Sequence, residues 1–245
     1  MRFKNFKRLF VKVIWLLFFK LKYKKSPKFI ITAFEHRKLK KYISEPNLIL
    51  DIGFNKGQFS SLALEYWPNV SLIAFDPHPY ACKNASLKLK NSYSKFFEFR
   101  NKAISAKESK IQGLNLAKKS DNSSLLEPTN LNKNLFNNAA IESQHICFIS
   151  KIKDEINTKK YKKNWFIKID VQGSELDVLQ SISQDQYNRI KWIYIEVTDY
   201  ILYKNQASRK ELQNFLELLG FKLTTTFNEH FLDGKLIYAD LLFTK

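Results

Sequence analysis

Leu48-Ile-Leu-Asp51-Ile-Gly53-Phe-Asn55-Lys-Gly57-Gln58 is the stretch on which the reading of the fold turns. A short apolar run ends in an acid, then two glycines and an asparagine appear within five residues, and helical spacing begins at residue 58. Strand, tight loop and helix in that order describe the first crossover of an open α/β sheet, whose ligands bind at the carboxyl ends of the strands. Glycines at 53 and 57 remove Cβ atoms where a ligand or a neighbouring chain must come close, and Asn55 is one of the few other residues that tolerate a positive φ. The spacing also excludes two common ligands. A phosphate-cradling loop would need Gly-Lys followed by Ser or Thr, and a dinucleotide fingerprint would need glycines at 53, 55 and 58, where Asn55 and Gln58 stand.

Working outward, Glu45-Pro46 closes a basic N-terminal segment, and the text beyond it alternates strands with helices. Short apolar runs predict strands at 48–52, 71–75, 96–100 with 103–104, 165–170 and 192–197, and helical periodicity predicts helices over 58–66, 79–91, 174–182 and 208–219. Gly220 reads as the cap that ends the last helix. This alternation implies a parallel sheet with crossovers. Residues 221–227 and 235–244, joined by Asp233-Gly234, then form an antiparallel hairpin on one edge. Residues 105–145 break the pattern with a Ser/Asn/Lys-rich stretch that shows no core periodicity, so the expectation there is a long polar insertion acting as a lid over part of the acceptor pocket.

Chemistry concentrates at the strand tips. Asp76 closes the second strand, 25 residues after Asp51, where an acid can accept hydrogen bonds from two ribose hydroxyls, and Pro77 ends the strand behind it. An acid for ribose without a pyrophosphate loop indicates a nucleoside ligand lacking phosphates. Lys168-Ile-Asp170-Val-Gln-Gly173-Ser-Glu175 occupies the fourth strand tip and opens the next helix. Asp170 suits a general base or a substrate clamp, with Glu175 as the second candidate, and Glu196 near the end of the fifth strand has a substrate-facing reading. Each acid also has a plain alternative as a cap or a partner to the helix dipole.

Composition limits the alternatives. The chain of 245 residues carries 18 net positive charges, with 44% hydrophobic and 15% aromatic residues, enough for a full core. Two cysteines are too few for a disulfide scaffold, and four scattered histidines have no zinc spacing, so no metal is expected. Residues 1–45 hold 14 Lys/Arg against two Glu, so most of the excess charge belongs to this arm. Its apolar run Phe10–Phe19 is too short to cross a bilayer, which takes about 20 residues, and Lys20-Leu-Lys-Tyr-Lys-Lys25 follows where a signal peptide would be cleaved. The expectation is a cytoplasmic protein whose helical arm packs on the core or, through residues 1–28, touches an anionic membrane surface. A pI near 9.7 raises RNA as a partner, but no RNA-binding signature crosses residues 46–245, and nucleic acid is not expected.

The blocks Leu-Asp51-Ile-Gly53-Phe54-Asn55-Lys-Gly57, Ala-Phe-Asp76-Pro77, Phe-Ile-Lys168-Ile-Asp170-Val-Gln172-Gly173-Ser-Glu175, Ile-Glu196-Val and Ala-Asp240-Leu-Leu-Phe together resemble the FkbM family of S-adenosylmethionine-dependent methyltransferases, across residues 46–245. The family usually has Ala in place of Phe54, and Glu in place of both Asp76 and Gln172. The resemblance implies a Rossmann-like class I methyltransferase fold, a seven-stranded sheet that is parallel but for one strand. It places the cofactor S-adenosyl-L-methionine with its methionine end over Asp51–Gly57 and its ribose at Asp76-Pro77. It further implies O-methyl transfer to a hydroxyl-bearing small molecule or glycan, with a sugar of a bacterial surface polysaccharide as the leading acceptor and a secondary metabolite as the alternative. RNA methylation is the more distant one.

Overall fold

The computed structural model describes residues 35–136 and 139–245, so the membrane contact expected of residues 1–28 lies outside the described residues. Among the described residues ten strands form in chain order: β1 (Leu48–Ile52), β2 (Ser71–Phe75), β3 (Phe97–Arg100), β4 (Ala103–Ile104), β5 (Ile111–Ala117), β6 (Ile141–Ser150), β7 (Trp165–Ile169), β8 (Ile190–Val197), β9 (Lys222–Leu232) and β10 (Lys235–Thr244). Seven of them make one sheet in the order β3-β2-β1-β7-β8-β10-β9. β1, β2, β3, β7 and β8 pair in parallel, β10 runs antiparallel to β8, and β9 runs antiparallel to β10. The chain winds outward from β1 to β3 and then returns to add β7 on the other side. The direction of winding therefore reverses between β1 and β7, and open α/β sheets bind their ligands at such a reversal.

β1 and β7 are buried at every residue, as expected of strands covered on both faces. One face carries Leu48, Leu50, Ile167, Ile169, Ile193 and Ile195 into a core with Leu212 and Leu216 of the helix Arg209–Leu218. The other carries Ile49, Phe166, Trp192 and Tyr194 against Phe59, Ala63 and Trp67 from the helix Gln58–Tyr66 and its end. That helix opens at Gly57, whose φ of 69° replaces a side-chain cap. Ser208 and Glu211 close a capping box on the helix Arg209–Leu218. At the edge, Asp233 and Gly234 both have positive φ (49° and 77°), the condition for the tight turn that matches strand twist.

Two expectations are corrected here. Ala103–Ile104 does not extend the third strand: β3 ends at Arg100, and β4 pairs in parallel with β6 in a separate three-stranded sheet ordered β4-β6-β5. The stretch 105–145, read as having no core periodicity, contributes to a core of its own. It supplies β5, a turn at Ser120–Asn122, a helix at Asn130–Leu135 and half of β6, with a small core of Ala103, Leu114, Leu116, Cys147 and Ile149. At the end of β6 the period is two: buried Cys147 and Ile149 alternate with exposed Ile146 and Phe148, so polarity does not mark the inner face. Among the described residues no helix is long and apolar enough to cross a membrane.

Candidate functional site

A cavity of about 550 Å³ opens at the carboxyl ends of β1, β2, β7 and β8, with the Ser120–Asn122 turn and Asn132 of the helix Asn130–Leu135 contributing to its lining. Of the residues singled out in the sequence, Gly53, Phe54, Asn55, Asp76, Pro77, Asp170 and Glu196 line it. Asp51, Gly57 and Glu175 do not, although each holds a residue that does.

The β1 side is built by backbone geometry. Gly53 has φ +90°, and a Cβ there would lie 1.8 Å from the carbonyl oxygen of Asp170, so the two strand tips approach as closely as a bare Cα permits. Phe54 folds under the loop against Phe99 at 5.1 Å, and a Cβ on Gly57 would lie 2.6 Å from its ring. Phe54 and Gly57 are thus matched: the bulky ring fits because residue 57 has no side chain. Asn55, at φ 48°, donates through its backbone N–H to Asp76 Oδ2 (2.6 Å) and through Nδ2 to Asp121 Oδ1 (2.6 Å). It accepts from Ser120 Oγ at 2.9 Å. This asparagine ties the glycine loop to both the Asp76 carboxylate and the far wall. Asp76 Oδ1 accepts the His78 N–H at 2.8 Å, which leaves one lone pair on each carboxylate oxygen and a fixed rotamer.

The β7 side is built by side chains. Lys168 is buried on β7, donates from Nζ to the Gly53 carbonyl (2.8 Å) and stands 3.4 Å from both Asp51 Oδ1 and Asp170 Oδ2. Burial acts to lower its pKa, yet the charges of Asp170, Asp51 and Glu196 raise it overall, so the ammonium stays protonated. Asp51 is fully buried, with Oδ2 accepting from Ser60 Oγ at 2.6 Å, and burial raises its pKa. It is a support for Lys168 and not a wall of the cavity. Glu175 faces the loop: its Oε1 accepts from the backbone N–H of Gly173 (3.0 Å) and Val171 (3.2 Å), and burial pushes its pKa up to about 7. Those bonds shape the turn in which Gln172 (φ 58°) and Gly173 (φ 103°) both take positive φ.

Gln172 completes this half. Its Nε2 donates to Asp170 Oδ1 (3.0 Å) and to Glu196 Oε2 (2.9 Å), so one amide bridges two carboxyl groups from neighbouring strand ends. Its Oε1 accepts from Tyr203 Oη at 3.0 Å, and its carbonyl accepts from Ser124 Oγ at 2.7 Å. Desolvation, then the charges of Asp170 and Asp240, drive the Glu196 pKa well above the carboxylate range.

The sequence reading assigned no role to Lys168, Gln172 or His36, all of which line the cavity. Lys168 left a signal, a lone cation inside an otherwise apolar strand that must find a buried partner. Gln172 left only its place in the motif beside Asp170, its second partner Glu196 standing 24 residues on, and His36 left none, because its partner stands 158 residues away.

Known proteins compare as follows. The FkbM methyltransferase domain matches residues 51–223. No curated protein matches the sequence. Solved structures similar in overall shape include precorrin-6y C5,15-methyltransferase from Geobacter metallireducens (12% identity, 88% of this chain and 87% of that one, TM-score 0.44). Magnesium protoporphyrin IX methyltransferase from Synechocystis with bound SAH is another (8% identity, 89% and 82%, TM-score 0.45). An rRNA methylase from Streptococcus thermophilus is a third (9% identity, 86% and 94%, TM-score 0.44). The chain belongs to the FkbM methyltransferase family.

Proposed function

We propose that this FkbM methyltransferase transfers the methyl group to a hydroxyl of a sugar or glycan bound against Asp170. The observation that carries the reading is the acid pair on the β7 side, Asp170 and Glu196, joined by Gln172 and facing the glycine loop across one cavity. A sugar is rich in hydroxyl donors, and this wall is rich in oxygen acceptors.

The chain's residues fit the cofactor. The bare Cα of Gly53, the closeness it permits and the fixed Asp76 carboxylate with open lone pairs suit a nucleoside with a ribose diol, and the cavity volume is that of a small-molecule site. Gly53, Phe54, Asn55, Asp76 and Pro77 would hold it. When bound, S-adenosylmethionine supplies a methyl group made electrophilic by a sulfonium. A neutral hydroxyl is a weak nucleophile, so the protein's share is to orient it and accept its proton. Asp170 is the residue proposed for both, a reading supported by Gln172 and Lys168 engaging its two oxygens and by its position in the cavity lining.

The test is incubation of the full chain with S-adenosylmethionine and a panel of monosaccharides and nucleotide-linked sugars, with the product read by mass spectrometry. An O-methyl sugar, lost in Asp170→Asn, is expected. Methylation of RNA or of an amine, with every sugar untouched, would overturn the reading.

A further inference from the structure

His36 precedes the residues matched by the family domain, yet its ring lines the cavity. Its Nδ1 lies 2.9 Å from Tyr194 Oη, and Tyr194 Oη donates to Asp240 Oδ2 at 2.8 Å. Asn228 Nδ2 donates to the same carboxylate oxygen at 2.8 Å. Three distant parts of the chain therefore meet in one line: the segment before β1, the middle of β8 and its neighbour strand β10.

Proton counting sets the direction of that line. Asp240 has a pKa raised by burial to about 6, so above that pH it is a carboxylate that can only accept. Tyr194 has one hydroxyl proton, and it goes to Asp240. The bond between His36 and Tyr194 must then be donated by the imidazole, which places the ring hydrogen on Nδ1 and leaves Nε2 with a bare lone pair. Burial, against the opposing charge of Glu35 and with the help of Lys168, lowers the His36 pKa to about 4, so the ring is neutral at ordinary pH. Phe59 and Tyr194 hold it edge-on at 5.7 and 5.5 Å between ring centres. Among the described residues Nε2 has no hydrogen-bond partner.

We propose that His36 is an anchor for the acceptor: Tyr194 and Asp240 fix its tautomer, and Nε2 takes a hydrogen bond from a second hydroxyl of the sugar whose reacting hydroxyl lies at Asp170. The inference rests on the hydroxyl reading above and narrows it to acceptors with at least two hydroxyls. Tyr194 and Asp240 act as positioning residues, since each works through the imidazole.

Two measurements on the full chain test it. In protein labelled with ¹⁵N-histidine, the His36 signals, assigned by their loss in His36→Asn, should show a protonated Nδ1 and a bare Nε2 at pH 7.5, and Tyr194→Phe should release that preference. A protonated Nε2, or an imidazolium at this pH, would overturn the proposal whatever the acceptor. In the sugar assay, His36→Asn, which keeps the bond to Tyr194 but has nothing at the Nε2 position, should raise KM about tenfold with kcat within about twofold, and His36→Gln, which restores an acceptor there, should recover most of the loss. Unchanged KM in His36→Asn with the expected tautomer would sink the anchor alone. A panel in which no sugar is methylated would sink the anchor together with the hydroxyl reading.

Discussion

The two walls of the cavity are built on different principles. On the β1 and β2 side the work is done by backbone: Gly53, Asn55 and Gly57 have positive φ, and Asp76 is held by two main-chain amides. On the β7 and β8 side it is done by side chains in a buried charged network, with Lys168, Asp170, Gln172, Glu196 and Glu175 within a few bonds of one another. A backbone wall resists change because its shape follows from local dihedrals. A charged wall is adjustable, since each member sets the protonation of the next. The constant ligand of a methyltransferase fits the first kind of wall, and a variable acceptor fits the second.

The comparison predicts that substitutions should separate cleanly by wall. Asp170→Asn keeps the shape and the bond from Gln172 but removes the proton acceptor, so kcat on the panel sugar should fall by roughly 10²–10⁴ while S-adenosylhomocysteine affinity, measured by titration calorimetry, stays within about twofold. Loss of both together would show that the walls are not separate. Gly53→Ala should do the reverse and more bluntly. A Cβ at 1.8 Å from the Asp170 carbonyl with φ +90° forces the strand tips apart, and strain plus overpacking of about 3 kcal/mol in total should abolish cofactor binding and lower the Tm.

Glu175→Gln probes the adjustable wall without touching the cavity. The Glu175 pKa is raised from 4.5 to about 7, so between those values the unfolded carboxyl releases its proton first and wild-type stability falls as pH rises. Gln keeps an oxygen for the Gly173 and Val171 amides and carries no charge. Its Tm should match the wild type near pH 4.5 and exceed it at pH 8, by up to roughly 3 kcal/mol in stability at about 1.4 kcal/mol per pKa unit. A difference independent of pH would mean that Glu175 is not a buried acid of this kind. The smallest effect is expected for Asp76→Ala: two ribose hydroxyls lose one partner, and S-adenosylhomocysteine should bind about tenfold more weakly with kcat little changed at saturation. An unaltered Kd would remove Asp76 from the cofactor wall.

Legibility in the sequence follows the same division. The Gly53–Gly57 loop, the Asp76-Pro77 tip, the capped helix before Gly220 and the Asp233-Gly234 turn were all readable, because each is a local conformation that few residue types permit. The motif at 168–175 was readable as a site, but its internal division was not. Asp170 and Glu175 are both acids at one strand tip, and only the turn through Gln172 and Gly173 directs one to the cavity and the other to the loop amides. The small sheet β4-β6-β5 was missed because β4 has only two residues, β5 carries Gln112 and Asn115 among its apolar side chains, and β6 has apolar side chains on both faces, Ile146 and Phe148 exposed and Cys147 and Ile149 buried.

By itself the sequence determined most strands and helices of the seven-stranded sheet, the positive-φ turns at Gly53–Gly57 and Asp233-Gly234, and the family to which the chain belongs, since these depend on residues within a few positions of each other. The tertiary structure alone decided that Gln172 bridges Asp170 to Glu196, that Lys168 joins Asp51 to Asp170, and that His36 meets Tyr194 and Asp240. The physical reason is strand order: β7 lies beside β1, and β10 lies beside β8, only after long crossovers close, so partners far apart in the chain come together through the packing of the whole sheet.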